Sequence, residues 1–138
     1  MTKPSSPPAT APELRTLAMP ADTNGNGDIF GGWLLAQMDL AGGAYAMRVA
    51  LGRVATVGIE AMSFHRPVLV GDLVSCYCTT ARRGRTSITV QVETWARRLG
   101  RTGEAPAEIK VTEGMFSFVA LADDGGKREL PPRAREDG

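Results

Sequence analysis

The longest apolar stretch of the chain runs from residue 31 to about residue 50 and predicts one long helix. Its Trp, Leu, Met and Tyr residues leave hardly any polar face, which is typical of a helix that other parts of the protein surround. Gly52 follows as a stop signal. The exception to this apolar pattern is Asp39, the one acidic residue between Asp28 and Glu60. A buried carboxylate is costly without a partner, so Asp39 is either satisfied by structure or held for chemistry.

The rest of the chain has the pattern of β-strands. Runs rich in β-branched residues or alternating in polarity predict strands at residues 13–19, 54–61, 73–82, 86–98 and 109–121. Short connections join the strands that follow the helix, so we expect a largely antiparallel sheet. The predicted fold class is α+β, a five- to six-stranded antiparallel sheet wrapped around one long central helix. Such a sheet covers only one side of the helix, so we expect a second subunit on the other side.

Length and charge narrow the class of protein. The 138 residues suffice for one domain, and a net charge of +1 gives no strong attraction to nucleic acid or to an anionic membrane. Residues 1–12 lack the apolar segment of a secretory signal and predict a disordered arm. Residues 31–47 are short for a membrane span and carry a central Asp. We therefore predict a cytoplasmic protein with one domain at residues 13–132 and a flexible tail at 133–138.

Two features that could suggest a metal lack the required ligands. Cys76 and Cys78 have no second Cys pair or nearby His, so they predict two small apolar thiols in a reducing compartment. Residues 22–28 imitate the start of a calcium-binding EF-hand loop, but the twelfth position, which should be Glu, is Trp33. Pro20 also stands where the entering helix should be. Turn formation by Asn, Asp and Gly is the favoured interpretation, and we expect no metal.

The helix begins with two glycines, Gly31 and Gly32. A helix N-terminus has free N–H groups and partial positive charge, which suits an anion or a developing oxyanion. Alternatively, the glycines merely allow the helix to pack closely on a strand, and spacing alone leaves both interpretations open. Asp39 lies eight residues after Gly31, about 12 Å along the axis. Since one helix cannot bring both to the same carbonyl, joint action requires two antiparallel helices from different subunits.

One long run reads Asn24-x-Asn26-Gly27-Asp28-Ile29-Phe30-Gly31-Gly32-Trp33, with Gln37-Met38-Asp39 after it. Further matching segments are residues 16–20, 60–62, 70–72, 92–95 and 116–119. In these residues the sequence resembles the bacterial YciA-like acyl-CoA thioesterases of the hotdog fold. The resemblance covers roughly residues 13–132, and the long run is more specific than a short chance motif.

The resemblance implies hydrolysis of acyl-CoA to a free acid and CoA. Asp39 would be the catalytic acid, acting as a general base on water or as a nucleophile. Asn24 would position water or the thioester across the subunit interface, and the amides of Gly31 and Gly32 would polarise the carbonyl. The resemblance also implies a homodimer as the minimal unit, assembling further to a hexamer as a trimer of dimers, with no metal and no cofactor.

A basic hairpin supplies candidates for binding the CoA part of the substrate. Arg82, Arg83 and Arg85 flank its tip, Ser87 follows, and arginine suits bidentate phosphate binding. The alternative is a solvated turn. Phe30, just before the glycine pair, is a further candidate substrate contact.

Two alternatives stay open at the level of sequence. His65, the only histidine, could act as a base, but no G-x-S-x-G nucleophile motif accompanies it, so a structural role is favoured. The chain could also be a hotdog module that binds acyl-CoA without cleaving it. The presence of Asp39 and Asn24 argues against such a sensor, which has no need of a base aimed at a carbonyl.

Overall fold

A computed structural model describes residues 6–133 of the chain. Residues 1–5 of the predicted arm and 134–138 of the predicted tail lie outside the described residues. The elements in chain order are β1 (Leu14–Leu17), a single 3-10 turn (Pro20–Asp22), α1 (Gly31–Ala50), β2 (Val54–Phe64), β3 (Leu73–Arg83), β4 (Ser87–Arg98) and β5 (Ala107–Ala120). The predicted helix and all five predicted strands are confirmed to within a few residues, and the 3-10 turn was not predicted.

The five strands form one sheet in the order β1-β3-β4-β5-β2. All four neighbouring pairs are antiparallel, as the short connections predicted. Helix α1 packs against one face of this sheet, which confirms the predicted architecture. Strands β1 and β2 are the two edges, so β2 has one side free of any strand within the described part of the chain.

The inner face of α1 fits closely against the middle of the sheet. Met38 and Ala41 are fully buried in the main core cluster. A Cβ added at Gly42 would lie 3.1 Å from the Phe118 ring, so a side chain there would force the ring to shift by a few tenths of an ångström. The Tyr45 hydroxyl lies 2.7 Å from the hydroxyl of a β3 threonine and so ties the helix to the sheet.

The end of α1 differs in detail from the prediction. Leu51, not Gly52, adopts the left-handed conformation, with φ 55°, and its N–H bonds the Met47 carbonyl. A Cβ at Gly52 would lie 2.6 Å from the Arg128 guanidinium, so this flexible side chain would have to shift to admit another residue there.

The outer face of α1 is open in a single chain. Leu40 is 60% exposed and Met47 47% exposed, and on β2 the side chains of Val57 and Phe64 are 60% and 56% exposed. The prediction has the sheet on one side of the helix and a second subunit on the other, so in one chain the outer side is open and Asp39 is only half-buried. The expected second subunit on this face stays a prediction. No helix within residues 6–133 is long and apolar enough to cross a membrane.

Candidate active site

Asp39 lies in the middle of α1 and is held by a residue of β2. The Thr56 hydroxyl donates a hydrogen bond of 2.8 Å to Asp39 Oδ1. No donor to Oδ2 is found among residues 6–133, so one carboxylate oxygen is fixed and the other is available. The sequence interpretation missed Thr56, because the contact depends on where β2 passes the helix and no local motif marks it.

Asn24 organises the loop before the helix. Its Oδ1 accepts hydrogen bonds from the backbone N–H groups of Asn26 at 2.8 Å and Asp28 at 3.2 Å. This is the local turn that the Asn and Gly residues predicted. Because two donors converge on that atom, it must be the oxygen, and the side-chain NH2 group is left as a donor. It has no acceptor within the described residues.

The same contacts bear on the calcium alternative. Asn24 Oδ1 is already occupied by two backbone donors, and Asp22 Oδ2 accepts the Met19 N–H at 3.1 Å. Within residues 6–133, no group of three or more His, Cys, Asp or Glu side chains could hold a metal ion. The loop geometry thus supports a turn rather than an ion site.

In the first turn of α1, two backbone N–H groups have no hydrogen-bond acceptor within residues 6–133. The Phe30 carbonyl accepts the N–H groups of Trp33 and Leu34, whereas those of Gly31 and Gly32 have no acceptor in the described part of the chain. A Cβ at Gly32 would meet nothing within 4 Å, and one at Gly31 would meet only a phenylalanine ring at 3.8 Å. Packing within one chain therefore requires neither glycine, and of the two interpretations open from sequence, access to the backbone is favoured.

The arginines predicted to hold CoA, which flank the β3–β4 turn, each have a partner from another part of the chain. Arg82 lies 3.7 Å from the Glu60 carboxylate and Arg85 2.9 Å from that of Glu129. Arg83 donates to the Pro131 carbonyl. These pairs lie at the protein surface.

The structure does not bring Phe30 to these arginines within one chain. The Ala120 N–H bonds the Thr86 carbonyl in this turn, and Ala120 pairs with Val54, which follows the end of α1 by four residues. The turn that also carries Ser87 therefore lies toward the C-terminal end of a helix about 30 Å long. Phe30, 51% exposed, is at the other end. Most of the length of α1 therefore separates Phe30 from the basic turn within one chain.

His65 lies outside the group formed by Asp39 and Thr56. Its Nε2 is 3.1 Å from Glu113 Oε2, and Lys110 Nζ is 3.0 Å from Glu113 Oε1. The hydrogen bond from Lys110, with a smaller effect from His65, holds the pKa of Glu113 below its usual value. This arrangement supports the structural role for His65.

The two cysteines are free thiols on β3. Burial raises the pKa of Cys76 to about 11, and burial raises that of Cys78 further. Because the thiolate is the reactive form, both are unsuited to act as nucleophiles.

Comparison with known proteins adds independent findings. A family profile described as the thioesterase superfamily matches residues 26–102, more than half of the chain. An acyl-CoA thioester hydrolase YciA from Salmonella typhimurium is 52% identical over 118 residues, which cover 86% of this chain and 88% of that protein. A solved hexameric hotdog-fold thioesterase of Campylobacter jejuni is 40% identical, with a TM-score of 0.85, and the match covers 88% of this chain and 91% of that one.

A more distant structure is informative about the site. An acyl-CoA hydrolase from Staphylococcus aureus, solved with butyryl coenzyme A and coenzyme A, is 26% identical with a TM-score of 0.77, covering 91% of this chain and 74% of that one. It was also solved as three single alanine variants, of an asparagine, an aspartate and a threonine. Those positions are 15 and 17 residues apart, which is the spacing of Asn24, Asp39 and Thr56 here.

Proposed function

The chain belongs to the thioesterase superfamily, within its YciA-like acyl-CoA thioester hydrolases, and we propose that it cleaves acyl-CoA by adding water at the thioester carbonyl. The products are a free carboxylic acid and CoA, and residues 13–132 form the catalytic domain. The observation that carries this proposal is the fixed carboxylate of Asp39 on a helix whose first amides are open. The resemblance of this chain to acyl-CoA hydrolases supports the substrate class.

Asp39 acts as the base in this reaction. With Oδ1 held by Thr56, Oδ2 takes a proton from water while the water oxygen bonds to the carbonyl carbon. The C–S bond then breaks, and the CoA thiolate takes up a proton. In the alternative, Oδ2 itself attacks, and water hydrolyses the resulting acyl anhydride. A single turnover in H2(18)O tests the alternative, because label enters the Asp39 carboxylate only if an anhydride forms and water attacks its aspartyl carbonyl.

The oxyanion is stabilised from a second subunit. The amides of Gly31 and Gly32 and the NH2 group of Asn24 are donors without acceptors within residues 6–133. About 12 Å separates Gly31 from Asp39 along one helix, so the donors that serve a given Asp39 come from the partner's antiparallel helix. A composite site therefore requires a homodimer.

The open surface supports that dimer. The outer face of α1 and the edge strand β2 expose Leu40, Met47 and Val57, apolar side chains that a second copy would cover. The Campylobacter thioesterase is hexameric, which supports further assembly of three dimers into a hexamer here.

The basic turn binds the phosphates of CoA. Exposed ion pairs such as Arg85 with Glu129 contribute only about 0–1 kcal/mol, so a doubly charged phosphate can replace the carboxylate. Arg82, Arg83 and Ser87 add donors on the same turn, and Phe30 of the other subunit contacts the substrate from the helix start.

The test is Asp39→Asn, assayed by thiol release from a panel of acyl-CoAs. The amide keeps the shape and an oxygen for Thr56 but cannot accept a proton, so we expect kcat to fall by about 10²- to 10⁴-fold. CoA binding and oligomeric state should be unchanged. Full activity of the variant would overturn the role of Asp39. A wild-type protein that binds acyl-CoA but releases no thiol would instead indicate the non-catalytic binding module.

A further inference from the structure

A nearly buried ion pair lies outside the site and has no part in the reaction described above. Asp72, at the start of β3, is 2% exposed. Arg98, at the end of β4, donates to both of its oxygens, from Nε at 3.0 Å and from Nη2 at 2.8 Å. The Leu69 N–H donates a third bond of 2.9 Å. A buried pair of this kind is weak evidence for stability, since apolar residues often replace one without loss.

The pair links the two ends of the segment formed by residues 67–72. The Arg98 Nη2 group also donates to the Pro67 carbonyl at 3.1 Å, so one guanidinium holds both ends of the segment. Within it, the Asp72 N–H bonds the Leu69 carbonyl at 3.1 Å, and Gly71 adopts a left-handed φ of 93°. Lysine at position 98 would keep the charge but could not make this planar, forked set of contacts.

The segment of residues 67–72, linked at both ends by Arg98, in turn supports the loop that leads into α1. The Ile29 N–H bonds the Val68 carbonyl at 3.0 Å, and Asp28 forms a β-bridge with Leu69. Ile29 and Val68 are buried in the same apolar cluster. Asp28 is also one of the two residues whose N–H groups fix Asn24.

We propose that the Arg98–Asp72 pair positions the oxyanion donors. It acts through the backbone of residues 67–72, which sets the place of Asn24 and of the helix start at Gly31. Neither residue touches the substrate, so both are positioning residues. The inference rests on the proposed function, because it assigns these donors to the thioester oxygen.

The test compares Arg98→Lys and Asp72→Asn with two controls. Arg97→Lys makes the same change in the neighbouring pair with Glu108, which lies on the surface. Ile88→Ala removes a buried side chain far from the segment and controls for lost stability. Each protein is assayed well below its melting temperature, per folded molecule, for kcat and KM, and by hydrogen exchange of the peptide covering residues 22–30.

We expect Arg98→Lys to lower kcat about 10- to 100-fold while KM changes little, because misplaced donors weaken binding of the transition state. Exchange in residues 22–30 should be faster than in either control. Asp72→Asn should show the same changes in kcat and in exchange. If Asp72→Asn does not fold, the result for Arg98→Lys alone decides the inference. The inference is overturned if Arg98→Lys keeps the wild-type kcat and the wild-type exchange rate. It is also overturned if Ile88→Ala, at the same loss of melting temperature as Arg98→Lys, loses as much kcat as Arg98→Lys does. If the wild type itself releases no thiol, the proposed function fails, and the exchange data alone decide whether the pair positions the loop.

Discussion

The N-terminal and C-terminal ends of helix α1 differ in how the chain treats their free backbone groups. At the N-terminal end, two amides have no acceptor within residues 6–133, and Gly32 borders open space. At the C-terminal end, Leu51 turns back onto the Met47 carbonyl, and Arg128 fills the space beside Gly52. The Met47 carbonyl at the C-terminal end is thus bonded within the chain, whereas the two amides at the N-terminal end are left as donors for something outside it, as a site for a thioester oxygen requires.

The glycines of the helix show the same difference. Gly42 is buried, and a methyl group there would press on Phe118 and Val92 at 3.1 to 3.4 Å. Gly31 and Gly32 are exposed and meet no such constraint. A glycine that packing does not require is a candidate for function, and this criterion was not accessible from spacing alone.

The largest expected effect among the following variants is at Thr56. Thr56→Val keeps the branched shape but removes the hydroxyl that fixes Asp39. A hydrogen bond to a charged group contributes about 1.5–3 kcal/mol, so kcat should fall about 10- to 100-fold. Thr56→Ser, which keeps the hydroxyl, should retain most activity in the same thiol-release assay. Equal kcat values for Thr56→Val and Thr56→Ser would show that the Thr56 hydroxyl has no role in the reaction.

Gly32→Ala should separate activity from stability. The added methyl group meets nothing within 4 Å in the chain, and alanine favours a helix by up to about 1 kcal/mol, so the melting temperature should stay constant or rise. Activity should fall by about tenfold, because the methyl group hinders approach of the carbonyl to the amides. Thermal denaturation and kcat measured on the same sample check both parts. A variant that is fully active would show that the open space is not used by substrate.

Gly42→Ala should show the opposite. Its methyl group overpacks the core against Phe118 by about 1–3 kcal/mol, and the helix propensity of alanine offsets up to about 1 kcal/mol of this, so we expect a net loss of up to about 2 kcal/mol in the free energy of unfolding. The kcat of the folded fraction should change much less than in Gly32→Ala. Urea denaturation measures the first quantity, and a loss of kcat without a loss of stability would reverse the contrast between the two glycines.

The smallest expected effect concerns Glu113 and pH. Because Lys110 and His65 hold the pKa of Glu113 below its ordinary value of 4.5, its ionised form stabilises the folded state. That contribution is complete above pH 4.5 and is lost as the pH falls through the lower pKa of the folded state. Since these side chains are partly exposed, it should be under about 1 kcal/mol. The stabilities of wild type and Glu113→Gln in urea should differ at pH 7 and converge only as the pH falls below the folded-state pKa of Glu113, and a difference that does not depend on pH would contradict this account.

The elements of the fold were largely predictable because their patterns are local. The apolar run over residues 31–50 gave the helix to the residue. Strand β2 runs to Phe64, beyond the predicted end at 61, because Ala61 adopts φ 55° in a bulge and the pairing with β5 resumes after it. Sequence patterns carry no signal for such a bulge, since alanine disfavours that conformation.

The candidate site was predictable only where it follows a motif. Asn24, Asp39 and the glycine pair stand in one short segment of the chain, and their local geometry could be argued from spacing. Thr56 could not, because its contact with Asp39 joins two separate elements. The partners of Arg82 and Arg85 come from β2 and the C-terminal segment, far away in sequence, and were missed for the same reason.

The central claim, that each site is shared by two subunits, is tested most directly by mixing two inactive variants. Asp39→Asn lacks the base, and Asn24→Asp keeps the Oδ1 contacts of the loop but lacks the NH2 donor. If subunits pair at random after co-expression in equal amounts, half of the dimers are mixed, and each has one intact site and one doubly altered site. The account predicts recovery of about a quarter of wild-type activity. A site contained in one chain would give no recovery, and that result would contradict the account.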